Sequence, residues 1–275
     1  MKREKRIMGK FLNNKIALFP IAVIAALVLV SCATSPTGQT QLKLFPDSEI
    51  TRMGISAYDE MKQKTPASRD KNATAYVNCV ATAITREVPS RSKWEVTLFD
   101  DEAVNAFALP GGKIGVYTGL LKVANDQDQL AAVIGHEVAH VIADHGNARV
   151  SAAFAAQSGM QLAQVMAGTA SPEKSQLLGL LGLGAQIGVL LPYGRGQESE
   201  ADILGLQYMA KAGFNPMASI LLWQNMGKKS GGQPPELLST HPANQTRIND
   251  LKNAMPKAQQ LFNQARSQDK IPQCG

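Results

Sequence analysis

Along most of this chain the hydrophobic residues recur at helical spacing, and only one short region alternates. Residues 48–64 and 70–87 read as two helices. In the second, Ala75, Val77, Val80, Ile84 and Val88 form a stripe of the kind that faces a core. The alternation in Trp94-Glu95-Val96-Thr97-Leu98-Phe99 predicts a strand. Residues 104–109 and 113–118 flank Pro110-Gly111-Gly112, a turn signal that predicts a hairpin. Residues 126–145 read as a long buried helix. Asp126 is its N-cap, with Gln129 three residues on, and Leu130, Val133, Ile134, Val138, Val141 and Ile142 supply apolar packing on several sides. The Ala- and Gln-rich stretch 148–168 continues the helical pattern. Residues 177–191 are apolar with four glycines, too short and too Gly-rich to span a membrane. They read either as a buried helix or as a segment closing over a site. The pattern predicts an α+β fold, mainly helical, with a small sheet.

The front of the chain has a different character. Six Lys and Arg residues against Glu4 give residues 1–31 a net charge of +5, which leaves about +1 of the total +6 for the remainder. No basic patch remains to argue for nucleic acid. A basic segment followed by the apolar run Ile16 to Val30 is a targeting signal rather than a folded element. Leu29-Val30-Ser31-Cys32 resembles the lipobox of bacterial lipoproteins, in which Cys32 would become the lipidated first residue. The alternative is an uncleaved anchor, which a 15-residue run makes short. Ala33 after the cysteine favours, by the same resemblance, an outer-membrane lipoprotein facing the periplasm. Residues 32–46, polar and rich in Thr, Ser, Gln and Pro, then read as a tether. Cys79 and Cys274 are left. In an oxidising compartment they are expected to form a disulfide tying the C-terminal tail to an N-terminal helix, and two free thiols are the alternative.

The chemistry is concentrated in His136-Glu137-Val138-Ala139-His140. Residues four apart share a helix face, so His136 and His140 can present two imidazoles to one ion. Glu137 is rotated enough to act on a water presented at the metal. Two histidines and a carboxylate base are what a zinc protease needs. A catalytic zinc takes three protein ligands and keeps a fourth position open. In Gln197-Glu198-Ser199-Glu200-Ala201-Asp202, Glu198 and Asp202 share a face. Glu198 fits the third ligand, and Asp202 fits an acceptor for the far nitrogen of His136. Glu200 points elsewhere and reads as a solvated or structural carboxylate. His145 fails the metzincin pattern, because position 143 is Ala143 and position 146 is Gly146. It reads as a helix-end residue. His241 reads as an oxyanion-stabilising group, as a residue that swings onto the zinc, or as a surface histidine ahead of a helix. The strand Asn105-Ala106-Phe107-Ala108 offers either an edge for an extended substrate backbone or an ordinary structural hairpin.

Together, His136-Glu137-x-x-His140, Glu198-x-x-x-Asp202, Thr240-His241-Pro242 with Arg247, and the run Asn105 to Gly112 resemble the HtpX-like zinc metalloproteases. These are gluzincins whose periplasmic and soluble branch includes BepA, LoiP and the mitochondrial OMA proteases. The resemblance covers roughly residues 50–255. It implies a gluzincin-type domain at 47–275 with its sheet beside the motif helix. It also implies one Zn²⁺ on His136, His140 and Glu198, with Glu137 as base, Asp202 and Arg247 behind the ligands, and His241 in the active site. Implied substrates are unfolded or misassembled cell-envelope proteins, with the membrane reached through Cys32 and the outer-membrane assembly machinery as a candidate partner. A chaperone or scaffold of outer-membrane assembly with a gated or inactive zinc site is the rival.

Overall fold

The motif helix forms where its cap and its apolar residues agree. In the computed structural model, which describes residues 32–90, 92–166, 193–229, 237, 239, 241 and 245–275, this helix spans Gln127–Ile142. Asp126 Oδ1 accepts from the Gln129 backbone N–H at 2.8 Å, and Gln129 Nε2 donates back to Asp126 Oδ2 at 3.0 Å. Two otherwise unsatisfied groups are thus paired at the helix start. From Leu130 to His140 every residue but Ala132 is buried, because the helix runs through the middle of the main apolar cluster.

In chain order the described elements are strands β1 (Cys32–Thr34) and β2 (Thr40–Leu42), helices α1 (Asp47–Lys64) and α2 (Lys71–Thr85), and strands β3 (Glu95–Phe99), β4 (Ala106–Leu109) and β5 (Lys113–Tyr117). A 3₁₀ turn at Thr118–Lys122 leads to α3 (Gln127–Ile142). Then follow α4 (His145–Met166), α5 (Arg195–Lys211), α6 (Ala218–Lys229) and α7 (Gln245–Ser267). The fold is the expected one, helical with small sheets. The predicted hairpin is present as β4–β5, antiparallel, and β3 adds to β5 in parallel, giving the order β3-β5-β4. Along β4 the side chains alternate. Ala106 and Ala108 join the main core with α3, and Phe107 and Leu109 join a second cluster with Tyr58, Phe99 and Tyr117.

Residues 32–46 differ from the expected tether. Strands β1 and β2 pair antiparallel, Cys32 against Leu42, and the chain from Ser35 to Phe45 is bound to the domain as a strap. Gln39 Nε2 donates to the Gly196 carbonyl, Gln41 Nε2 to the Ala143 carbonyl, and the Leu44 N–H to Ser151 Oγ. Strands of three residues carry too little alternation to be read from sequence. The polar residues that suggested a solvated linker are the ones that make the bonds. At the other end Cys79 and Cys274 are joined by a disulfide. The tail beside it binds Gln127 at the start of α3 through the Pro272 carbonyl and the Cys274 N–H. No described helix is long and apolar enough to cross a membrane. The apolar run 177–191 and the leader 1–31 lie outside the described residues.

Candidate metal centre

Two glycines bring the ligand helices together. A Cβ on Gly205 of α5 would sit 2.7 Å from the Gly135 carbonyl carbon and the His136 nitrogen of α3. Any larger residue would push the helices apart. At this spacing His136 Nδ1 lies 2.9 Å from Asp202 Oδ1. His136, Glu137, His140, Glu198, Asp202, His241 and Arg247 are all buried.

Four of these side chains converge. His136 Nε2 is 3.0 Å from His140 Nε2 and 3.1 Å from His241 Nδ1. Glu198 Oε1 is 3.0 Å from His241 Nδ1 and 3.5 Å from His140 Nε2. Among the described residues this is the group placed to hold a metal ion. Ligands about 2.0–2.1 Å from zinc in a tetrahedron stand about 3.3 Å apart, and these atoms match that spacing. The far nitrogens of His136 and His140 are both engaged elsewhere, at 2.9 Å by Asp202 and at 2.8 Å by His145. Their Nε2 lone pairs are therefore free to point at one cation. Glu137 Oε1 is buried without a hydrogen-bond partner among the described residues, 3.4 Å from His241 Nε2. The donor set fits zinc, and Glu137 stands beside it as a carboxylate not used in holding it.

Behind His136 stands an ion-pair network. Arg247 of α7 reaches Asp202 through Nε at 2.6 Å and Nη2 at 2.7 Å, and its Nη1 lies 2.7 Å from Glu198 Oε2. The guanidinium also lies 4.0 Å over the Trp223 ring. Behind His140 the arrangement is different. His145 Nε2 lies 3.2 Å from Glu200 Oε2, while Glu200 Oε1 accepts from the Thr37 N–H at 3.0 Å and from its hydroxyl at 2.8 Å. One face of His140 stacks on Tyr193 at 3.8 Å between centroids, and the Arg149 guanidinium covers the Tyr193 ring at 4.0 Å.

The electrostatics follow from these neighbours. Burial opposes charge on His136, but the Asp202 and Glu198 carboxylates outweigh it and lift the imidazole to about 9. Burial holds His140 well below the usual histidine range. It also lowers His145, which favours the neutral ring. Burial would raise Glu198, yet the three facing histidines hold it well below the usual carboxylate range. For Asp202 the Arg247 guanidinium overcomes burial in the same direction.

The structure brings together His136, Glu137, His140, Glu198, Asp202, His241 and Arg247 as the sequence led one to expect. His241 is a buried member of the cluster rather than a surface residue. Two readings are refined. His145 does sit at a helix end, opening α4, but it is fully buried and its charged form is disfavoured, and Glu200, 1% exposed, is the structural carboxylate of the two alternatives and not a solvated one. Tyr193 was not anticipated, and a lone aromatic ahead of a helix gives no signal of stacking. The edge formed by Asn105, Ala106, Phe107 and Ala108 is the outer strand of its sheet, as a substrate edge requires. It is partly engaged already: the Leu237 N–H donates to the Val104 carbonyl at 3.1 Å, and Asn105 Oδ1 accepts from the Ala106 N–H at 2.9 Å.

Residues 67–255 match the model of peptidase family M48. The chain is 36% identical to the mitochondrial metalloendopeptidase OMA1 of Schizosaccharomyces pombe over 61% of its own length and 48% of that protein. It is 30% identical to OMA1 of Homo sapiens over 81% and 45%, respectively. The β-barrel assembly-enhancing protease of Escherichia coli matches at 26% over 90% and 53%. The chain thus spans about half the length of these relatives. The comparison overturns the expected placement as an outer-membrane lipoprotein facing the periplasm. The relatives matched at 30–36% identity are OMA1 metalloendopeptidases named as mitochondrial, and the β-barrel assembly-enhancing proteases match at 26–29%. With its HExxH helix, its glutamate ligand and this family match, the chain belongs to peptidase family M48, the zinc metalloproteases.

Proposed function

We propose that the chain cleaves internal peptide bonds of misfolded or misassembled proteins, taking them as extended segments along β4. The observation that carries this reading is Glu137. It is a buried carboxylate without a hydrogen-bond partner among the described residues, 3.4 Å from the ring of His241, one of the four side chains that converge. A purely structural zinc site has no use for a buried carboxylate that does not hold the metal. Zinc held by His136, His140 and Glu198 supplies Lewis acidity, which acidifies water and polarises the scissile carbonyl. Glu137 accepts the proton of the attacking water and returns it to the leaving amine. Drawn aside from the ligand group, His241 donates a ring N–H to the developing oxyanion. Main-chain pairing along β4 binds many sequences. A narrow pocket of about 20 Å³ beside Glu137, room for about one water molecule, is lined on its apolar side by Leu206, Met209, Leu222 and Trp223.

Mass spectrometry of products from one protein offered folded and irreversibly unfolded tests this. Internal fragments from the unfolded form alone, absent with Glu137→Gln, are expected. Equal cutting of the folded form, or trimming confined to the termini, would contradict it.

The position of His241 favours a gated version of this reading. Its Nδ1 takes the fourth place of the ligand group, and Leu237 in the same segment occupies the head of the substrate edge. His241→Ala is then expected to raise turnover of short peptides if release of the segment limits the rate, and to lower it if the oxyanion contact dominates. Unchanged turnover would remove His241 from both roles.

A further inference from the structure

His140 is held from behind by groups that no motif of the chain singles out. With Nε2 turned to the ligand group, its Nδ1–H donates to His145 Nδ1 at 2.8 Å, and the His145 Nε2–H donates to Glu200 Oε2 at 3.2 Å. His145 and Glu200 are 0% and 1% exposed. The chain of donors runs in one direction and ends on a carboxylate, so each ring has a single consistent tautomer. Glu200 is fixed in turn from outside the helical core. Thr37, at the turn between β1 and β2, donates both its backbone N–H and its hydroxyl to Glu200 Oε1. Neighbouring bonds clamp the turn in place: Gln39 to the Gly196 carbonyl at the start of α5, and Gln41 to the Ala143 carbonyl just past α3.

We infer that His145, Glu200 and Thr37 are positioning residues for the metal ligand His140, so that the N-terminal strap sets how tightly the centre holds its ion. The inference rests on the metalloprotease reading of the site. A carboxylate reached through a second imidazole does for His140 what Asp202 does directly for His136. It fixes the ring's tautomer and direction and raises its basicity. The strap is far from the ligand atoms in sequence and touches none of them in these bonds, so its effect passes through Glu200 and His145.

The test is Zn²⁺ affinity and release rate in competition with a chelator, on the full chain and on Glu200→Gln, Thr37→Val and Thr37→Ser. The melting temperature of the zinc-free protein and the visible spectrum of the Co²⁺-substituted protein are recorded for each. Glu200→Gln is expected to weaken zinc about tenfold and to shift the cobalt bands. Thr37→Val is expected to move both in the same direction by a smaller factor, and Thr37→Ser to restore them. Wild-type affinity and spectrum in both Glu200→Gln and Thr37→Val would overturn the inference. So would losses of affinity that only follow losses of zinc-free stability under an unchanged spectrum. Should Glu200→Gln fail to fold, the Thr37 pair decides. A wild type that binds no zinc would instead sink the metalloprotease reading beneath it.

Discussion

The two histidines of the motif are one helical turn apart, yet the protein supports them by different means. Behind His136 a charged residue from another helix is locked by charge: Asp202 of α5 is gripped by Arg247 of α7, and the same guanidinium reaches Glu198. Behind His140 the partners of the carboxylate are neutral: Glu200 is held by the Ser35 and Thr37 hydroxyls and the Thr37 amide of an N-terminal strap, and by the His145 imidazole. The first arrangement is rigid and costly to disturb, because removing one member leaves a buried charge alone. The second is built from hydrogen bonds that a peripheral segment can make or withdraw. The centre therefore has one side fixed by the core and one side that depends on the periphery.

The largest effect is expected where the charged side is broken. Arg247→Met leaves Asp202 and Glu198 buried beside each other without their cation, and denaturant unfolding is expected to show a loss of about 3–5 kcal/mol. A loss below about 1 kcal/mol would remove the distinction between the two sides. Next is the tail. Opening the Cys79–Cys274 disulfide, by reductant or as Cys79→Ser, is expected to cost about 2–4 kcal/mol in the same assay. Because the tail's hydrogen bonds to α3 fall on Gln127 at the start of the helix, away from the ligands, zinc affinity should stay unchanged, and a loss of affinity would place the tail among the supports. Asp202→Asn follows, with zinc binding weakened towards a hundredfold in chelator competition, more than Glu200→Gln. A reversed order would invert the comparison.

The pH dependence separates the two histidines more gently. His136 is raised to about 9 in the metal-free fold, above its unfolded value of about 6.5. Its contribution to stability is thus complete below about pH 6.5 and is lost as pH rises through about 9. Unfolding midpoints of the zinc-free chain are expected to fall across that window. Those of the zinc-bound chain should not, because a ligand histidine is already neutral. A flat profile without zinc would show that Asp202 and Glu198 do not hold a proton on His136. Smallest of all is the surface end of the strap. Lys43 pairs with Asp144 at 2.7 Å, with Asp144 about half exposed, and Lys43→Met is expected to cost less than about 1 kcal/mol in thermal unfolding.

What could be read from the sequence follows the same division. The ligands on α3 are four residues apart, and so are Glu198 and Asp202 on α5. Helical spacing alone puts each pair on one face, and a zinc centre needs those residue types. The motif helix declared itself by its cap and its unbroken apolar packing. The support of His140 is made by contacts between residues far apart in the chain, Thr37 with Glu200 and Glu200 with His145. No periodicity encodes these. Glu200 lies two residues past Glu198, which turns it off the ligand face and makes it look like a solvent residue. His145 misses a familiar third-ligand spacing by one position, and that position hid its use as the ligand's partner. The strap was missed because its strands are three residues long and its bonding residues are polar.

The most direct measurement is turnover of casein by the purified chain beside Glu137→Gln, with zinc content determined on both. The account predicts one zinc in each protein, proteolysis by the wild type, and a loss of at least about 10²-fold in the variant. Equal proteolysis by the two proteins, or a wild type that holds zinc and remains silent on every unfolded substrate even as His241→Ala, would contradict the assignment of Glu137 as the base of a working protease.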